Sequence, residues 1–406
     1  MRSSLAKSKK ARTKNISKRA QKIEISSIKE MSMLADIVKE RGGPRIISFG
    51  QGIPYFDTPD HIKQGIIESL KQPDTKAYTL MPGINELRDL IGKDLKTSKG
   101  IKNIQPRKQI MITIGCQEAI ACALSAVIDE GDEVILFTPG FPSHIAQVIH
   151  FGGKPKFAGL DEKNDWAIDF TKLEKMVTKK TKTILLSNPS NPTGKVLTVK
   201  EAKALASFAK KHDLIMISDE TYDFLTYDNT PYFSLASLPG LKDRIILCGS
   251  FSKKYALTGY RVGYAFAEEG IISQMMKIHD ALAICAPAIS QKAAIAALKG
   301  TQTPVADFVR GLAENREKMC ARLDRLNNIF SYQKPMGAYY IFVKYNLPKY
   351  DSRRLAIKIL NEAHLAVIPG EAFGPTGEGH LRFSFGCTPQ DIDEGFDRLE
   401  KWSKGL

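Results

Sequence analysis

Apolar positions in this chain follow two alternating rhythms. Short runs rich in β-branched residues, at Ile110–Ile114, Glu133–Phe137, Lys154–Phe157, Lys182–Ser187, Leu214–Ser218, Arg244–Cys248 and Arg261–Phe266, read as strands. Between them, apolar residues return at helical spacing over Gln117–Ile128, Ser143–Phe151, Leu173–Thr178 and Lys200–His212. Buried strands separated by helices predict an α/β architecture with a mostly parallel sheet. Upstream, Ile46–Phe49 predicts a short strand running into Gly50–Gln51–Gly52. Thr58–Pro59–Asp60 predicts a helix start, with Thr58 as the cap and Pro59 in the first turn. After Gly270 the rhythm is helical, over 271–284, 289–298 and 305–326. Strand-like Ala338–Val343 and Leu381–Phe385, with helices at Ser352–His364 and Gln390–Trp402, then predict a smaller α+β unit. The expected division is a tail (1–23), an N-terminal segment packing with the small domain (24–58), a large domain (59–300) and a small domain (301–406).

Charge changes this picture at one end only. The formal net charge is +15 over 406 residues, but nine basic residues, Arg2 to Lys22, precede the first acid, Glu24. The tail is therefore expected to be solvated and disordered, and the folded body only mildly basic. No aromatic residue interrupts the tail's charges, which argues against a nucleic-acid contact. The first 25 residues hold no apolar stretch of a secretory signal. Six cysteines, Cys116, Cys122, Cys248, Cys285, Cys320 and Cys387, are scattered without metal-type spacing. They read as thiols of a reducing compartment, so a cytoplasmic location and no metal site are expected.

Candidate chemistry concentrates after the strand-like run Ile245–Cys248. There Ser250, Ser252, Lys253 and Arg261 follow one another, with Gly259 and Gly263 allowing close approach or positive φ. Hydroxyls and a guanidinium suit a phosphate, and a lysine amine suits an imine with an aldehyde. The run Ser-x-Ser-Lys-x-Tyr-Ala-x-x-Gly-x-Arg-x-Gly resembles the signature of the class I/II aminotransferases, the fold-type-I pyridoxal-phosphate enzymes. The resemblance extends from about Ile46 to the C-terminus. It implies that Lys253 joins the aldehyde of pyridoxal 5′-phosphate, while Ser250, Ser252 and Arg261 hold the phosphate.

Other motifs are similar to the family's in the same chain order. Asn188–Pro189–Ser190–Asn191–Pro192–Thr193–Gly194 implies that Asn191 meets the cofactor's phenolate oxygen. Asp219 closes a buried strand, where a lone carboxylate needs a partner. The resemblance supplies the pyridine nitrogen, with Tyr222 beside the phenolate oxygen. It also places the backbone of Gly115, Cys116 and Gln117 on the phosphate. Phe141 is implied on the ring face, and His144 is positioned to reach the far side of Asp219. Tyr78 resembles a tyrosine that reaches the neighbouring subunit's phosphate, which implies a homodimer with shared active sites. Arg382, heading an apolar run, is implied to grip the substrate α-carboxylate through its planar fork, with Asn191 and Gly52.

The implied reaction moves an amino group from a dicarboxylic or aromatic amino acid to a 2-oxo acid such as 2-oxoglutarate. Gln51 and Ile53–Pro54–Tyr55 depart from the family's usual apolar residue and Glu-Pro-Asp, which argues against a plain aspartate assignment. A carbon–sulfur lyase or an aminocyclopropane-carboxylate-type synthase on the same scaffold is the alternative.

Overall fold

The computed structural model describes residues 16–23, 25–40, 42 and 44–405. Most of the expected tail lies outside these residues. Its described end carries a one-turn helix, Lys18–Gln21, where the sequence reading expected no structure. The strands of the described residues are, in chain order, β1 Ile47–Ser48, β2 Ile110–Thr113, β3 Glu133–Thr138, β4 Lys154–Gly159, β5 Thr181–Ser187, β6 Ile215–Asp219, β7 Ile245–Ser250, β8 Gly263–Phe266, β9 Phe330–Tyr332, β10 Tyr340–Tyr345, β11 Leu365–Ala366, β12 Ile368–Pro369 and β13 His380–Ser384.

Strands β2 to β8 form one sheet in the order β2-β8-β7-β6-β5-β3-β4. The pairs from β7 across to β4 are parallel, and β8 runs antiparallel to both β7 and β2. Side chains alternate across this sheet, as the pleat requires. Ile135, Ile184, Met216 and Ile245 pack with helix Val199–Lys211. Their neighbours Val134, Leu185, Ile217 and Ile246 pack on the other face with helix Gly115–Val127. Both faces are dry, which explains the near-continuous apolar runs.

The second sheet, β12-β13-β10-β9, is antiparallel and packs with helices Thr303–Asp324, Ser352–Ala363 and Pro389–Ser403. The N-terminal segment joins this unit. β1 pairs in parallel with β11, and the Phe49 ring lies 5.9 Å from Phe383 and 5.6 Å from Phe396.

One local expectation is corrected. Helix Asp60–Leu70 starts after Pro59 with no side-chain cap, because the Thr58 hydroxyl donates instead to the carbonyl of Ala256 at 3.0 Å. Among the described residues, no helix is long and apolar enough to cross a membrane.

Candidate active site

Strand direction gathers the candidate residues. β2, β3, β5, β6 and β7 share one direction, so their carboxyl ends open on one edge of the sheet. Gly115, Phe141, Asn191, Asp219 and Lys253 are at or just beyond those ends. This is where open α/β sheets bind ligands. β8 runs the other way, so its start, not its end, lies on that edge, and Arg261 just precedes it.

A cradle for an anion forms where β8 meets helix Gly115–Val127. The first N–H groups of that helix have no partner within the helix. A Cβ on Gly115, which has φ +74°, would lie 2.6 Å from Arg261 Nη2, so the guanidinium rests on the helix start. Gly263 is fixed by close approach: a Cβ there would lie 2.7 Å from Cys116 N and 2.8 Å from Gly249 O. Gly259 has open space around its Cβ position. Neither Gly259 nor Gly263 adopts a positive φ, which is found in this stretch at Ala256 (52°) and Arg261 (54°). A left-handed arginine is strained backbone of the kind found at functional sites. Arg261 Nη1 donates to Thr258 O at 3.0 Å, and the Ser252 N–H donates to Ser250 Oγ at 3.1 Å.

Asp219 is 6 % exposed and held from both sides. Its Oδ2 is 3.1 Å from His144 Nε2. Its Oδ1 accepts from Thr221 Oγ1 at 2.7 Å, from the Thr221 N–H at 3.1 Å and from Cys116 Sγ at 3.4 Å. Burial pushes the carboxyl pKa up, but His144 and Thr221 outweigh it and leave the group below the ordinary aspartate range. Phe141 meets the His144 ring edge-on at 5.4 Å.

Lys253 Nζ donates to the carbonyl of Gly52, which also accepts from Tyr339 OH at 2.7 Å. Burial pushes the amine pKa down to about 8, reinforced by Arg261 and Arg382 and opposed by Asp219. Arg382 is fully buried. Its Nη1 donates to Asn191 Oδ1 at 3.1 Å and its Nη2 to Gly50 O at 2.6 Å, while Nε is buried without a partner among the described residues. The guanidinium stacks over the Tyr340 ring at 4.4 Å and lies 5.3 Å from that of Phe373. Tyr222 OH and Tyr340 OH are 2.7 Å apart.

The structure therefore brings Gly52, Gly115, Cys116, Asn191, Asp219, Tyr222, Lys253, Arg261 and Arg382 into one connected region. Gln117 is on the same helix start, with its side chain tied to Gln147 Nε2. Tyr78 stands apart, 77 % exposed in the single chain. Sequence reasoning missed Tyr339, Tyr340, Thr221 and the Cys116 thiol. The two tyrosines sit in a run read only as an apolar strand. Their signal was that two hydroxyls in a buried run need partners.

The sequence profile of the family described as aminotransferase class I and II matches residues 44–399. The chain is 37 % identical to an aspartate aminotransferase of Pyrococcus abyssi, covering 94 % of this chain and 97 % of that protein. It is 36 % identical to aromatic-amino-acid aminotransferase 2 of Thermococcus litoralis, with the same coverage. The crystal structure of an aromatic aminotransferase from Pyrococcus horikoshii superposes with a TM-score of 0.86 at 36 % identity, covering 92 % of this chain and 99 % of that one. An amine, a buried carboxylate and a buried guanidinium around one sheet edge, on this scaffold, identify the chain as a member of the class I and II aminotransferases.

Proposed function

We propose that this aminotransferase holds pyridoxal 5′-phosphate on Lys253. It would move an amino group from a dicarboxylic or aromatic amino acid to a 2-oxo acid such as 2-oxoglutarate. The observation that carries the reading is the Lys253 amine, whose pKa is pushed down to about 8 by burial and by the positive charges of Arg261 and Arg382.

The residues present suit the cofactor. A phosphate fits the helix start at Gly115, Cys116 and Gln117 together with Ser250, Ser252 and Arg261. Asp219, kept ionised by His144 and Thr221, suits a protonated ring nitrogen. Phe141 suits the ring face, and Asn191 and Tyr222 suit the phenolate oxygen. When bound, the cofactor supplies an aldehyde that takes up an amino group and a ring that accommodates the electron pair left by a departing α-proton.

Lys253 Nζ carries that proton. A base of pKa about 8 is partly neutral at physiological pH, whereas an ordinary lysine is not. Arg382 binds the α-carboxylate, giving its unpaired Nε an acceptor in a dry site where the pairing is strong. The ring wall of Tyr222, Tyr339, Tyr340 and Phe373 suits an aromatic side chain, and the names of the relatives support aromatic or dicarboxylic donors. On this reading the two sheets belong to a large domain (59–300) and a small one (301–406), with 24–58 attached to the small one. The protein works in the cytoplasm as a homodimer whose Tyr78 completes the partner's phosphate site.

An amino-donor screen with 2-oxoglutarate tests the reading. Stoichiometric glutamate formation with aspartate or an aromatic donor is expected. Release of ammonia without transfer would favour a lyase. Lys253→Ala should lower transamination by at least ~10²–10⁴-fold, the range for a lost general base; full activity in that variant overturns the assignment.

A further inference from the structure

Behind the site, on the opposite side of the segment that carries Asp219 and Tyr222, is a buried charge cluster. Asp219 faces His144 and Cys116, while its neighbours in sequence, Ser218 and Glu220, turn the other way. Glu220 accepts four hydrogen bonds. Its Oε2 takes Lys99 Nζ at 2.7 Å and Tyr232 OH at 2.5 Å, and its Oε1 takes Ser234 Oγ at 2.8 Å and Ser218 Oγ at 3.1 Å. Lys99 also donates to Asp223 and lies over the Tyr232 ring at 5.2 Å. The Lys99 side chain is 2 % exposed and that of Glu220 is fully buried. Lys99 is the last residue of helix Asn85–Lys99, a remote element whose C-terminal end favours a cation.

One ammonium thus grips the residue after Asp219 and the residue after Tyr222. The backbone between them is short and turned: the Asp223 N–H donates to Glu220 O at 3.2 Å, and the Glu220 N–H to Cys248 O of β7 at 2.9 Å. Moving either carboxylate moves Asp219 or Tyr222 with it. A buried ion pair is weak evidence of stability in itself, because desolvation offsets its attraction. Its directional bonds are better suited to fixing geometry.

We propose that Lys99 is a positioning residue: through Glu220 and Asp223 it sets where Asp219 and Tyr222 meet the cofactor ring. This rests on the roles given above to those two residues.

The test uses enzyme loaded with pyridoxal phosphate and compares wild type, Lys99→Met, Asp223→Asn and, as a reference, Asp219→Asn. The readouts are the cofactor's dissociation constant, the pH midpoint of its absorbance, and kcat and KM separately. Lys99→Met should weaken cofactor binding by roughly 10-fold, the scale on which outer-shell partners of bound metals act. It should also move the absorbance midpoint in the same direction as Asp219→Asn, and lower kcat more than it changes KM. Asp223→Asn, at the more exposed end of the cluster, should do the same to a smaller degree, and it decides alone if Lys99→Met does not fold. Lower thermal stability with an unchanged midpoint and affinity in both variants overturns the proposal and leaves the site reading intact. An unchanged midpoint and affinity in Asp219→Asn overturns the site reading and this proposal with it.

Discussion

A lysine that works as a base must give up its proton far more readily than a surface lysine does. Lys253 is moved to about 8 because it is partly buried and shares its surroundings with two guanidinium groups, while Asp219 only partly compensates. The consequence is measurable without substrate. In cofactor-free protein, acylation at Lys253 should rise with pH to a plateau with a midpoint near 8. Linkage gives a second reading. Below pH 8 the folded and unfolded chains both hold the proton; from there to about 10.5 only the unfolded chain does, so this group's penalty on folding is relieved as pH rises. At neutral pH the penalty is roughly 2–3 kcal/mol, reduced by the group's partial exposure. Lys253→Met should therefore stabilise the empty protein by about that much at pH 7 and by little at pH 10. An acylation midpoint near that of ordinary lysines would refute the argument. The lysine itself was legible because hydroxyls, amine and guanidinium follow one strand in a fixed order. Thr221 and Tyr339 were not, because one hydroxyl in a loop or a buried run has no partner visible in sequence.

At the scale of elements, the junction of β8 with helix Gly115–Val127 matters most. Sequence periodicity located β8 but not its direction, since period two is the same for parallel and antiparallel strands. Direction is what puts Arg261 on the binding edge. The junction also makes Gly263 irreplaceable: the atoms that would meet a Cβ there are backbone of Gly115, Cys116 and Gly249, which cannot move aside cheaply. Gly263→Ala should cost about 3 kcal/mol, the upper range of overpacking, and pyridoxal phosphate should bind more weakly because the helix start is pushed off Arg261. Thermal unfolding and a cofactor titration check both parts; wild-type values in both would mean the junction is softer than its contacts indicate. Helix Asn85–Lys99 was invisible for a related reason. Its inward face holds Leu87, Ile91 and Leu95 but also Arg88 and Lys99. Those charges are satisfied by distant partners, Arg88 Nε by Ile110 O at 2.8 Å and Lys99 by Glu220 at 2.7 Å. A face that buries charges reads as polar until the partners are seen.

At the scale of the whole molecule, the single chain leaves apolar side chains in water around Tyr78. Leu80 and Met81 follow it in the same loop, and Leu282 and Ile284 end a nearby helix, all exposed. The two segments are tied together. Gln291, fully buried, donates to Thr79 Oγ1 at 2.9 Å and to Ala286 O at 2.8 Å, and accepts from the Ile84 N–H at 2.7 Å. A loop so firmly anchored yet so apolar at its tip suits contact with another surface. If that surface is a second copy and Tyr78 reaches its phosphate, each site draws Lys253 from one subunit and Tyr78 from the other. Separately, Tyr78→Ala should bind cofactor weakly and Lys253→Ala should be inactive. Mixed and reassembled in equal amounts, half the dimers are hybrids, each with one site that has both groups intact. Activity should then recover to about a quarter of the wild-type site number. A mixture no more active than the sum of its parts would show that Tyr78 serves its own subunit or none.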